Sequence, residues 1–170
     1  MFLDLSKAFD STWTLGLLYK LATIGVEGSL LTWFTDFLSD RMVMIDVNGT
    51  ISHPRLQTQG VPQGSVISPT LFNIYLHDFP HPPSRCLTLM FADDITVVVQ
   101  ADTIELAQKI VQPYLDRIQR WASEWKLEFS ASKSCTLLFS RKLLPQAAPN
   151  FILNNTIIPI KSNTKFRGHL

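Results

Sequence analysis

Cysteine is scarce in this chain: Cys86 and Cys135 are the only two among 170 residues, far apart and without a second pair at metal-ligand spacing. That excludes a disulfide framework and a zinc site, and the two read as buried thiols in a reducing compartment. Charge of one sign is lacking too, since 15 Lys and Arg face 14 Asp and Glu for a formal +1. A chain so balanced has no bulk basic field, so any polyanion it met would have to be held by a local surface. Long hydrophobic runs are missing as well. Met1-Phe2-Leu3 is cut short by Asp4, Lys7 and Asp10, which excludes a secretory signal. The stretch from Leu56 to His77 is free of charged residues but carries Gln, Gly, Pro, Ser and Asn, which are costly in a bilayer. Neither secretion nor a membrane span is expected.

What is present is apolar material, 46% of the residues, enough for one sizeable core in a chain of one-domain length. There is no repeat, low-complexity tract or evident linker, so residues 1–170 are expected to form one α+β domain, a sheet covered by helices. The chain enters a strand-like segment within two residues of its start and stops inside another at Lys165-Phe166-Arg167-Gly168-His169-Leu170. Both ends therefore look cut.

Phe2 to Leu5 reads as a short buried strand, followed by a helix in which Leu15, Leu18, Leu21 and Ala22 recur at helical spacing until Gly25. A second helix is expected from Gly28 to Leu38, with Ser29 as an early cap and Trp33 and Phe34 in the core. Val43, Ile45 and Val47 alternate along a strand that Asn48-Gly49 turns back through a type I′ hairpin. A Gly/Pro/Gln-rich loop from Gln59 to Ser65 leads into an amphipathic helix over Pro69 to Phe79. Leu87 to Phe91 and Ile95 to Val99 are two strands joined at Asp93-Asp94. Asp102 and Glu105 have capping-box spacing at the start of a long helix, which Pro113 should kink or split. Thr136 to Phe139 is a further strand, and Asn154-Asn155 the turn of a last small hairpin.

Asp93 and Asp94 are adjacent anions bracketed by Met90-Phe91-Ala92 and Ile95. Two carboxylates beside a low-dielectric core repel each other and are poorly solvated unless a cation or buried donors compensate. Oxygen ligands of this kind suit Mg²⁺, and two such ions roughly 4 Å apart can drive phosphoryl transfer. The bland alternative is an Asp-Asp turn facing water. Asp4 closes another short apolar strand and could bring a third carboxylate to the same sheet. Asp10 reads instead as a cap for the helix near Thr14 or as a turn residue. Lys20, Arg41, Arg55 and Arg85 read as solvated surface cations.

Leu3-Asp4-Leu5-Ser6-Lys7-Ala8-Phe9-Asp10, then Gly60-Val61-Pro62-Gln63-Gly64-Ser65 with Ser68-Pro69, then Phe91-Ala92-Asp93-Asp94 occur in that order. They resemble motifs A, B and C of reverse transcriptases, in wording nearest to non-LTR (LINE- or jockey-like) retrotransposons. Ser132-Lys133-Ser134 is similar to motif D, and Lys165-Phe166-Arg167-Gly168 to a frayed motif E. The resemblance covers nearly the whole chain. It implies a polymerase palm, an antiparallel sheet packed on helices, with fingers and thumb missing or incomplete and belonging to a longer polyprotein.

It further implies an RNA-directed DNA polymerase that takes an RNA template, a DNA primer and deoxynucleoside triphosphates inside the cell, in nucleus or cytoplasm. Two Mg²⁺ ions, or Mn²⁺ in their place, would be held by Asp4 and Asp93 with support from Asp94. Lys133 would approach the departing pyrophosphate; the residues alone leave it open as a surface lysine. Phe9 would exclude a 2′-hydroxyl, or else is a core residue beside Ala8. Gln63 and Gly64 would line the nucleotide pocket, Gly64 by close backbone approach, or else only shape a turn. Ser130 and Arg167 stand where the family has Asn and Leu. The alternative is an inactive or domesticated palm remnant that serves as a nucleic-acid-binding or structural module.

Overall fold

In the computed structural model, residues 1–140 and 149–161 are described. In chain order the elements are β1 (Phe2–Asp4), α1 (Ala8–Ser11), α2 (Thr14–Thr23), α3 (Gly28–Leu38), β2 (Arg41–Val43), β3 (Asp46–Val47), β4 (Thr50–Ile51) and β5 (Arg55–Gln57). They continue with α4 (Ser68–Tyr75), β6 (Cys86–Phe91), β7 (Asp94–Val99), α5 (Ile104–Glu124), β8 (Thr136–Leu137), β9 (Ile152–Leu153), β10 (Thr156–Ile157) and β11 (Ile160–Lys161). This is the expected mixture of helices and mainly antiparallel strands; among the described strands β8 and β11 alone pair in parallel. The described elements fall into two compact units, one made of Met1–Ser6 and the described residues from Phe79 onward, the other of Lys7–Asp78. Among the described residues no helix is long and apolar enough to cross a membrane. The motif E-like Lys165 to Gly168 lies outside the described residues.

The first unit is built on an antiparallel sheet in the order β1-β7-β6. Because side chains alternate across a strand, Leu3, Ile95 and Val97 point to one face and are buried, against α5. Helix α5 answers with Val111, Tyr114, Leu115, Ile118, Trp121 and Ala122, a stripe at the three-to-four spacing of one helix face. Each such large apolar side chain contributes roughly 1.5–3 kcal/mol by leaving water. Tyr114 also satisfies its hydroxyl, which donates to the Pro80 carbonyl at 2.8 Å and meets the Thr88 hydroxyl at 2.7 Å. The β9–β10 hairpin turns on Asn154 and Asn155, both at positive φ as a type I′ turn requires. It is clipped to α5 by the Gln112 amide, which bonds both backbone groups of Ile152.

The second unit packs α2 against α3 and α4, burying Leu17, Leu21, Phe34, Leu38, Leu71, Phe72 and Tyr75. Lys20, read from sequence as a surface cation, is 1% exposed. Its ammonium donates to the Tyr75 carbonyl at 2.6 Å and to Asp78 at 2.5 Å, and lies over the Tyr75 ring. A buried charge persists only with such partners. The Tyr75 hydroxyl accepts from the Trp13 N–H, and burial pushes its pKa up to about 12. Beyond α3 the chain forms two antiparallel ribbons, β2–β5 and β3–β4, and Asn48 and Gly49 take the expected positive φ.

Several local expectations are corrected. The expected strand through Val43, Ile45 and Val47 is two short pieces, with its apolar residues exposed. Ser29 lies inside α3, whose cap position is Glu27, and Trp33 is 49% exposed rather than buried, stacked on Phe37 and edge-on to Phe34. In α2, Leu17 and Leu21 face the core while Leu15 is 68% exposed. Thr103, not Asp102, caps α5, its hydroxyl accepting from Leu106 N–H at 3.2 Å. Pro113 does not split α5. Cys135 is buried, but Cys86 is only half-buried.

Candidate active site

Asp4 ends β1, and the sheet register sets it directly opposite Asp94, the first residue of β7. Alternation puts both carboxylates on the face away from α5, beside Phe91, which also pairs with Asp94 and is 77% exposed. The turn residues between the strands are therefore Ala92 and Asp93, not Asp93 and Asp94 as the sequence implied. Ala92 sits at φ 51°, a left-handed conformation that costs a non-glycine residue roughly 1–2 kcal/mol. Strain of that kind marks a turn whose shape is held by its surroundings.

The Asp4 carboxylate is poorly compensated. Its Oδ2 is shut off from solvent and has no hydrogen-bond partner, and the Lys133 ammonium stands 3.9 Å away, beyond hydrogen-bonding reach. Burial lifts the Asp4 pKa above its ordinary 3.8; Lys133 pulls it back, and Asp93 and Asp94 push it further up. Two further carboxylates thus bear on the charge of Asp4 at one end of the sheet. Among the described residues no three His, Cys, Asp or Glu side chains close into a ready-made cation cage. Still, an orphaned carboxylate oxygen with two further carboxylates close by is a donor set that suits a hard divalent cation.

The Asp4 backbone, by contrast, is held on both sides. Its N–H donates to the Ser134 hydroxyl at 3.1 Å, which donates onward to the Ser130 carbonyl at 2.7 Å. The Asp4 carbonyl accepts from Ser130 N–H at 2.8 Å. The turn that carries Lys133 is therefore the clamp on Asp4. Ser134 is fully buried, and sequence reading gave it no role of its own. Its neighbours Ser130, Ser132, Lys133 and Thr136 are polar as well, so no local pattern singled it out.

The other sequence candidates, Phe9, Gln63 and Gly64, belong to the second unit. Phe9 lies on α1 and stacks on Phe72 of α4, ring centroids 4.6 Å apart, and is half-buried. The loop before α4 is stitched to α1: Gly60 N–H donates to the Thr12 carbonyl at 2.7 Å and Val61 N–H to the Phe9 carbonyl at 2.9 Å. A Cβ on Gly60 would lie 2.8–2.9 Å from backbone atoms of Phe9 and Asp10, at φ +84°. Close approach thus falls to Gly60; Gly64 has positive φ but open space around it.

Three more side chains fasten the loop. The Arg41 guanidinium, half-buried rather than a solvated cation, donates to the carbonyls of Gln59 and Gly60 at 2.7 and 2.5 Å. Ser68 donates to the Pro62 carbonyl at 2.6 Å. Asp10 accepts from the Gln63 side-chain amide at 2.8 Å; it does not cap α2, whose cap position is Trp13.

The family model for reverse transcriptase (RNA-dependent DNA polymerase) matches residues 1–169. The RNA-directed DNA polymerase from mobile element jockey of Drosophila melanogaster is 33% identical over 98% of the chain. Probable RNA-directed DNA polymerases from transposon BS and from transposon X-element, also of Drosophila melanogaster, are 29% and 28% identical over 99% and 100% of it. The chain spans 19% of the length of each of these relatives.

Proposed function

The chain belongs to the reverse transcriptase (RNA-dependent DNA polymerase) family, and on that premise we propose that residues 1–170 are part of the palm domain of a non-LTR retrotransposon enzyme that extends a DNA primer on an RNA template. The observation that carries this reading is the orphaned Asp4 Oδ2 in register with Asp94 across the sheet. Asp4 and Asp93 would hold Mg²⁺, with Asp94 in support, and when bound the metal would supply positive charge where the primer hydroxyl attacks and where the leaving oxygen of a deoxynucleoside triphosphate departs.

The chain's own residues do the rest. Ser134 and Ser130 fix the Asp4 backbone, so the carboxylate keeps its aim while its charge environment changes on ligand binding. Lys133, exposed beside Asp4, brings a cation toward the phosphates as pyrophosphate departs. Phe9, braced by Phe72, bars a 2′-hydroxyl, and Gln63 and Gly64 meet the nucleotide from the loop. These substrates imply an intracellular setting.

Primer extension on an RNA template, with Mg²⁺ and deoxynucleoside triphosphates, tests the assignment by comparing the chain with Asp93→Ala/Asp94→Ala. We expect extension to fall by about a thousandfold in the double variant, as when charge stabilisation is removed from a phosphoryl-transfer site. Extension retained there would overturn the site. No extension by either form would overturn self-sufficient polymerase activity and favour the reading as a non-catalytic palm module.

A further inference from the structure

The Gln63 side chain has a defined partner, and the partner's chemistry decides which end of the amide is free. An ionised carboxylate only accepts hydrogen bonds, so the atom facing Asp10 Oδ1 at 2.8 Å must be the Gln63 nitrogen. The contact favours the amide orientation with nitrogen toward Asp10 and oxygen away from it. One N–H is engaged, and Oε1 keeps both its lone pairs for a ligand. Because Gln63 and Asp10 are both exposed, this is a contact made at a surface open to ligands rather than a packing bond inside a core.

The neighbourhood supports a built arrangement. Residues 60–61 are tied to α1 by two backbone hydrogen bonds, one to Phe9 and one to Thr12 on either side of Asp10. The absence of a side chain on Gly60 lets the loop lie against the Asp10 backbone. Arg41 and Ser68 hold the loop's carbonyls at Gln59, Gly60 and Pro62. A loop anchored at both of its ends leaves the Gln63 side chain as its free part, and Asp10 is the group that orients it.

We propose that Asp10 is a positioning residue that locks the Gln63 amide with its oxygen outward, so that the nucleotide group recognised there is a hydrogen-bond donor, a sugar hydroxyl or a base N–H. The identity of the ligand as a nucleotide rests on the function proposed above; the lock itself does not.

Two readouts on the chain separate these. In the ¹⁵N-labelled protein, the two Gln63 side-chain amide protons should be well separated. Asp10→Ala should collapse them toward free-glutamine positions, while the backbone spectrum reports an intact fold. In parallel, the dissociation constant for deoxynucleoside triphosphates with Mg²⁺ should weaken roughly fivefold in Asp10→Ala, the size of one ordinary hydrogen bond. Asp10→Asn, which keeps an acceptor, should restore it to within about twofold. Gln63→Leu should cause a similar loss in the native background and no further loss in Asp10→Ala, since the two act as a unit.

Repeating the titration with 2′,3′-dideoxy triphosphates tells the donors apart: a vanished difference between native and Asp10→Ala assigns the 3′-hydroxyl, and a preserved one assigns the base. Gln63 protons unmoved by Asp10→Ala would overturn the lock. A collapsed lock with unchanged affinity would overturn its role in recognition. If the native chain binds no triphosphate, the nucleotide reading fails, and with it the ligand assignment, while the amide protons still decide the lock.

Discussion

Asp4 and Asp10 lie six positions apart in the sequence, and the structure treats them in opposite ways. Asp4 has a tightly held backbone and a poorly compensated side chain: its N–H and C=O are clamped by Ser134 and Ser130, while Oδ2 has no hydrogen-bond partner, and burial and two neighbouring carboxylates penalise its charge against the relief that Lys133 gives from 3.9 Å. Asp10 has its carboxylate engaged by Gln63 and its backbone covered by Gly60. Folding alone would favour satisfying both. A carboxylate left in need while the backbone around it is fully bonded is shaped for an incoming cation, whereas one that is already spent on a neighbour is shaped to hold that neighbour still.

The contrast breaks most severely at Gly60. Gly60→Ala forces a Cβ against backbone that cannot yield and holds a non-glycine residue at φ +84°. A loss of roughly 2–4 kcal/mol is expected, seen as a lower urea midpoint. An unchanged midpoint would mean that the loop does not need this close approach. Ser134→Ala is next. It removes the acceptor for Asp4 N–H in a buried setting, while the Ser130 carbonyl retains backbone donors. The expected cost is about 1–2 kcal/mol, and a cost near zero would show that the clamp is dispensable.

Asp4→Asn is the mildest change and tests the poorly compensated side directly. A carboxyl whose folded pKa lies above its ordinary 3.8 holds its proton more tightly in the folded chain than in the unfolded one. The stability it contributes is full below about pH 4 and is lost as pH rises through the raised value. Native and Asn forms should therefore melt alike in acid, and the Asn form should melt higher near neutrality. With the side chain 39% exposed and Lys133 nearby, screening keeps the gain below about 1 kcal/mol. Added Mg²⁺ should raise the melting temperature of the native chain and not of the variant, since only the state that binds the ion is stabilised. A native chain that gains melting temperature relative to the Asn form as pH rises across this range would contradict the raised pKa.

Much of the scaffold was legible beforehand. Helices α2 to α5, the β6–β7 hairpin and the two Asn turns follow from spacing and from the left-handed tolerance of Asn and Gly, both properties of a few consecutive residues. The misses have a common cause. Lys20 and Arg41 looked like surface cations because the groups that bury them lie far away in sequence, Tyr75 and Asp78 for Lys20 and Gln59 and Gly60 for Arg41. Trp33 was expected inside because it is large and apolar, yet α3 turns that side to solvent. Thr103 displaced Asp102 as a cap because a hydroxyl one residue later met the amide of Leu106.

What the sequence determined by itself was the order of three motifs, the period of helices α2 to α5 and of the β6–β7 hairpin, and the family those motifs belong to, because such information is carried within short windows of the chain. Which carboxylate would be left in need, and which spent, was decided only in three dimensions. Asp4 meets Ser134 across 130 positions and Gln63 meets Asp10 across 53, and a hydrogen bond depends on where folding brings donor and acceptor, which no local pattern specifies.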